Sequence, residues 1–289
     1  MSYRTSLDRP RVDIDATRVE IKRWPRMTSN APFRPGAGRD FSLLAVVLTA
    51  MLQILTPLLP MVGIGEPIGG QSNAVRTLIT PAGWAFSIWG ALYTGAIAFA
   101  IFQALPSQRT NSLLRAIRWP AAGAFMGNAL WAAYTQIYGL NFFSVLIILG
   151  SLACLIIIYR NLSRRDYTPG ERWCVYLPLS ALAAWLTVAT TVNIAASLRF
   201  HGIEGGAYSP IIGAAVVVTA GMIAVAALVR GQGNPPYAAV FLWALTAIYA
   251  AGGQQHGLIA VSTIIAGLVV VGGSIVGLRS NYEAEKRTN

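Results

Sequence analysis

The 289-residue chain is 55% hydrophobic and only 11% charged, with a formal net charge of +11. A soluble domain carries about 25% charged residues, so this composition excludes an ordinary water-soluble fold and makes lipid the main solvent. The positive charge lies in connections and in the N-terminal segment, without the basic fold signature of a nucleic-acid reader, which excludes nucleic acid as a partner.

Residues 1–40 hold nine Lys/Arg and five Asp/Glu and no apolar run. Such a segment buries too little apolar surface to fold alone and reads as a disordered, basic cytoplasmic tail. A secretory signal would place its apolar stretch near the start and close it with a small-residue cleavage site; here the first apolar run starts at Phe41 and is long enough to span. A helix needs about 20 apolar residues to cross the hydrocarbon core. Eight stretches meet or approach that: 41–62, 82–105, 119–138, 140–160, 173–197, 208–229, 236–253 and 257–278. The short connections after the third and the seventh make antiparallel hairpins. The expected fold is therefore all-α, a polytopic transmembrane bundle of about eight spans. With the N-terminus inside, 20 of the 22 Lys/Arg fall on one side and only Arg76 and Arg199 lie in outer loops. The positive-inside rule then puts both termini in the cytoplasm, in a cytoplasmic (inner) membrane. Cys154 and Cys174 read as small buried hydrophobes and imply no disulfide framework.

Three spans carry aromatic and amide patterns. The second begins Pro81-Ala-Gly-Trp84-Ala-Phe86-Ser-Ile-Trp89-Gly-Ala-Leu-Tyr93; on a helix Phe86, Trp89 and Tyr93 share one face. In the third, Asn128 and Trp131 lie one turn apart, and in the fifth Trp185, Ala189 and Asn193 form one row. From 1.5 Å of rise per residue, Trp89, Asn128, Trp131 and Trp185 lie roughly 10–18 Å from their outer helix ends. Large aromatics at one depth beside small residues form a flat-walled pocket, or else ordinary bundle packing. An Asn in lipid needs a partner or a role. Gly123-x-x-x-Gly127 and Gly273-x-x-x-Gly277 permit close helix approach, with intramolecular packing as the default and a homodimer as the sharper alternative.

The spacing from Trp84 to Tyr93 resembles the second helix of the TspO/MBR family, the tryptophan-rich sensory or translocator proteins. Asn128-x-x-Trp131 is similar to that family's third-helix motif, and Ala184-Trp185 through Asn193-Ile-Ala195 to its fifth-helix motif. The chain departs from the pattern in having Ala181 where the family has a proline, and Tyr134 and Tyr138 near its paired phenylalanines. The resemblance implies a TspO-like five-helix core over 41–200 and three additional helices over 201–289 with a short cytoplasmic tail. It also implies a cavity, capped by the loop between the first two helices, that takes tetrapyrroles, sterols or similar flat apolar molecules. The residues it carries over as ligand-binding are Trp84, Phe86, Trp89, Tyr93, Asn128, Trp131, Trp185 and Asn193, and Arg76 and Arg199 would meet ligand carboxylates at the mouth.

Haem ligation is not expected, because the only histidines, His201 and His256, lie in or beside outer loops and proximal ligands are usually His, Cys, Met or Tyr. A tetrapyrrole would be a stacked ligand and no cofactor is expected. The expected function is a membrane protein that binds a flat apolar molecule in a sensory, regulatory or transport role. The competing readings are a facilitator without ion coupling, since ion-coupled carriers use intramembrane ionisable residues, and a non-enzymatic structural subunit. Enzyme chemistry is disfavoured because the spans lack clustered acids, bases and metal ligands.

Overall fold

In a computed structural model of the chain, residues 41–163 and 166–288 are described; the expected N-terminal tail and the loop arginines Arg164 and Arg165 lie outside them. All the secondary structure there is helical. The helices are α1 (Phe41–Leu55, continued by a 3-10 turn Thr56–Val62), α2 (Ile68–Ala74), α3 (Ile88–Ala104, preceded by a 3-10 turn Gly83–Ser87), α4 (Ser112–Tyr138) and α5 (Phe142–Leu162). They continue with α6 (Pro169–Phe200), α7 (Ser209–Arg230), α8 (Pro235–Gly253) and α9 (Gly257–Thr288).

Local chemistry sets the starts. The side chains of Asn111, Asn141 and Asn234 cap α4, α5 and α8 by accepting from Leu114, Phe143 and Tyr237 N–H groups. Thr168 and Glu171 form a reciprocal capping box at the start of α6, which satisfies two of the four N–H groups that a helix start leaves open.

Five helices close a ring in the order α1, α4, α5, α6, α3, with α3 returning to α1. The two short hairpins are present: α4 and α5 are neighbours, as are α8 and α9. Three further helices pack outside the ring, α8 against α6 and α9 against both α7 and α8. Helix α6 is thus a shared wall. One side of it faces the ring, and the other receives the Tyr237 hydroxyl on Thr187 Oγ1 at 3.1 Å and the Asn234 amide on Ser180 Oγ at 2.9 Å. The turn before α3 is also tied to α8: Ala82 N–H donates to Ala247 O at 3.0 Å, and the Trp243 indole N–H donates to Ala85 O at 3.2 Å.

Both glycine pairs pack within the chain. A Cβ on Gly123 or Gly127 would meet Cys154 Sγ or Ser151 Cβ of α5 at 2.9 Å. On α9, a Cβ at Gly273 would meet Val225 of α7 at 3.1 Å, and one at Gly277 would meet Gly233 N at 2.3 Å. Small residues therefore let these backbones approach as the spacing anticipates.

Among the described residues, seven helices are long and apolar enough to cross a membrane, and α4, expected as the third crossing, is not one of them. Its hydrogen bonds explain how it still runs the thickness of the ring. At one end Arg118 Nε donates to Gln103 Oε1 at 3.1 Å, while Gln103 Nε2 donates to Leu43 O of α1 at 3.3 Å. Midway, Asn128 Nδ2 donates to Gln53 Oε1 at 3.2 Å, and at the far end Gln136 Nε2 donates to Thr56 O at 3.0 Å. From Arg118 to Gln136 the rise is about 27 Å, close to the roughly 30 Å of hydrocarbon. Arg118, Asn128 and Gln136 turn to neighbouring helices while Trp119, Met126, Leu130 and Ile137 face outward, so the low hydropathy of α4 does not put its polar side chains in lipid.

Arg118 corrects one expectation. The sequence places it in a loop ahead of a span starting at 119, but α4 begins at Ser112 and Arg118 is fully buried. Its guanidinium also donates to the carbonyls of Gln103 at 3.1 Å and Gln108 at 3.2 Å. The Gln103 carbonyl belongs to the last turn of α3, where the helix dipole is negative and carbonyls lack helical partners, so the arginine closes that helix end.

Candidate ligand site

The fifth-helix row appears as drawn: Trp185, Ala189 and Asn193 line one small cavity in the ring, together with Phe86 and Trp131. Ile68 and Ser72 of α2 and Pro81 close it from the α2 end of the bundle. Helix α2 is held there by main-chain and amide bonds onto α4. Glu66 N–H donates to Gln136 O at 2.8 Å and Gln71 Nε2 to the same carbonyl at 3.2 Å. The loop between the first two long helices is thus a cap over the aromatic layer, as the resemblance implies.

Ring geometry organises the walls. Trp185 meets Phe86 edge-to-face at 6.3 Å and Trp89 edge-to-face at 6.1 Å, both within the favourable range for aromatic pairs. Trp89 stacks on Tyr93 at 5.3 Å. A second hollow of about 240 Å³ lies beside the first and is lined by Trp89, Tyr93, Gly83 and Pro57. Ile68 and Phe86 border both spaces, so these two side chains form the partition between them.

The polar groups are unequally satisfied. Asn193 is 2% exposed; its Oδ1 accepts the Trp131 indole N–H at 3.0 Å, and its Nδ2 donates to Ser144 Oγ at 2.8 Å. Three helices, α4, α5 and α6, are joined through this one carboxamide. The Trp185 indole nitrogen is buried with no hydrogen-bond partner among the described residues. An N–H left so costs about 1–3 kcal/mol, and of the six buried side-chain atoms without a partner among the described residues it belongs to the one residue that lines this cavity.

Six of the eight aromatic and amide residues expected from the sequence gather around these two spaces: Phe86, Trp131, Trp185 and Asn193 at the first, and Trp89, Tyr93 and again Phe86 at the second. Two lie elsewhere. Asn128 turns to Gln53 of α1, and Trp84, half-exposed, meets Trp243 of α8 edge-to-face at 4.8 Å. Arg76 and Arg199 do come together, but in a separate groove of about 610 Å³ that shares no lining residue with the aromatic cavity.

A family model described as TSPO-like protein matches residues 40–276. The chain belongs to the TSPO-like protein family. The match runs through the helices after Phe200 as well as those before it, ending inside α9. No curated protein and no solved structure matches the chain.

In this TSPO-like bundle the sequence reading passes over several residues that shape the site. Gln53 and Gln136 are intramembrane amides that deserve the same treatment as Asn128, and their isolation in apolar runs was the available signal. Ser144, which receives Asn193, and Val188 and Val192, which complete the cavity wall, carry no distinctive pattern and become visible only once the helices are assembled.

Proposed function

We propose that this TSPO-like membrane protein binds a flat apolar molecule, tetrapyrrole or sterol-like, in the aromatic layer beneath the α2 cap. The observation that carries this reading is the unpartnered Trp185 N–H buried in a wall of indole and phenyl faces. A flat conjugated ligand would stack on those faces, and an acceptor on its edge would satisfy the orphan. The cavity is about 40 Å³, whereas ligand pockets are roughly 300–1,000 Å³. Binding therefore requires Phe86 and the α2 cap to move, joining the cavity to the 240 Å³ hollow next to it. Such a cap suits a sensor or a regulated facilitator better than an open channel. The protein acts by binding and not by catalysis.

The distribution of charge supports both termini in the cytoplasm: among the described residues the α2 end holds only Arg76 and Arg199 of the Lys and Arg side chains, whereas Arg109, Arg115, Arg160, Arg172, Arg230 and Arg279 lie at the opposite end. The α2 cap then faces away from the cytoplasm, and the ligand arrives from that side or from the outer leaflet.

The test is titration of the purified protein with protoporphyrin IX, following tryptophan quenching. Saturable quenching that weakens in Trp89→Ala, Trp131→Ala and Trp185→Ala, and not in Trp173→Phe at the opposite end, is the expected result. Equal affinity in all variants, each shown to be folded, overturns the proposal.

A further inference from the structure

The groove of about 610 Å³ is distinct in place and chemistry from the aromatic cavity. It lies at the α2 end of the bundle, between the segment after α2, the last turn of α6, the start of α7 and the turn joining α8 to α9. Its polar rim carries Arg76, Arg199, Glu204 and His256. Below the rim the walls are apolar. On α7, residues Ser209, Ile212, Gly213 and Val216 line it, a spacing that puts one helix face along the groove. From Ser209 to Val216 that face descends about 10 Å. Leu198 of α6 and Ile79 oppose it.

The charges do not cancel. Arg199 pairs with Glu204 at 3.2 Å, while Arg76 donates to the neutral Asn73 amide oxygen at 3.4 Å and forms no ion pair among the described residues. The N-terminal end of α7, where the helix dipole is positive, opens into the same space. One uncompensated guanidinium at an interfacial rim, above an apolar face running into the depth of the membrane, is complementary to one class of molecule. We propose that this groove binds an anionic phospholipid of the bilayer, its headgroup phosphodiester on Arg76 and the upper part of an acyl chain along Ile212 and Val216. The site joins the five-helix ring to the three outer helices, so a bound lipid would brace that junction.

The full-length protein in detergent is titrated with phosphatidylglycerol and with phosphatidylcholine of identical chains, and bound lipid is counted by native mass spectrometry. Phosphatidylglycerol is expected to bind about tenfold more tightly: phosphatidylcholine offers Arg76 the same phosphodiester, but its choline cation cancels the charge that the uncompensated guanidinium attracts. Arg76→Gln, at an exposed position, should abolish that preference without altering the melting temperature. Glu204→Gln should strengthen phosphatidylglycerol binding severalfold, because it removes the one acid at the rim; a purely structural role for these residues would not produce opposite signs. Equal binding of the two lipids, or a preference that survives Arg76→Gln, overturns the proposal. Competition by soluble glycerol 3-phosphate at concentrations comparable to the lipid also overturns it, since the acyl wall would then contribute nothing.

Discussion

Asn193 offers the sharpest test of how the aromatic layer is held. Its carboxamide accepts the Trp131 N–H at 3.0 Å and donates to Ser144 at 2.8 Å, and these two partners, on α4 and α5, are 6% and 0% exposed. In a membrane protein such interhelical bonds are worth about 0.6 kcal/mol on average and up to about 1.7. Asn193→Leu removes both bonds at similar volume and strands the indole N–H, so a loss of about 1–3 kcal/mol is expected. Trp131→Phe removes the N–H while keeping an aromatic ring. In the double variant nothing is left to strand, and a double-mutant cycle should give a coupling of about 1 kcal/mol. The measurement is reversible unfolding in mixed detergent–dodecyl sulfate micelles, followed by circular dichroism. A coupling below about 0.3 kcal/mol, the scale of ordinary non-additivity, would show that Asn193 does not hold the indole, and the link between α4 and α6 would have to come from packing alone.

Two other substitutions probe the frame around the site. Arg118→Met leaves Gln103 Oε1 and the carbonyls of Gln103 and Gln108 without this donor, and should cost about 2–4 kcal/mol; a melting midpoint within about 2 °C of wild type would refute the reading of Arg118 as the closure of α3. Gly252→Ala would put a methyl 1.8 Å from the Leu78 carbonyl oxygen and should destabilise by more than about 3 kcal/mol in thermal melts. Gly272→Ala, with nothing within 4 Å of the new carbon, is the matched control and should stay within about 0.5 kcal/mol.

The long apolar runs were readable because lipid imposes length and composition on each crossing separately. The row Trp185, Ala189, Asn193 was readable for a similar reason: it depends only on the helical period within one segment. What depends on how one helix is rotated against another was not. Asn128 and Trp131 are one turn apart, yet three residues at 100° each leave them about 60° apart around the axis. That angle is enough to send Asn128 to α1 and Trp131 to α6. Trp84 pairs with Trp243, far along the chain, because α8 returns to the turn before α3. Arg118 looked like a loop charge because the carbonyls that receive it belong to the preceding helix end and only the assembled structure brings them into range.

The position of α4 bears on how the chain enters the membrane. A segment opening with Arg115 and Arg118 and carrying Asn128 and Gln136 gains little by partitioning into hydrocarbon alone, since each such group is penalised on insertion. Its polar side chains are sheltered only when α1 already stands beside it and α3 has reached its C-terminal turn. Helix α5, joined to it by residues 139–141, is among the most apolar of the chain. During synthesis α4 is therefore best inserted as one arm of a hairpin, drawn in by α5 and received by a preformed α1–α3 pair. Insertion thus turns on Asn128 and Gln136, buried amides that lie apart from the aromatic cavity.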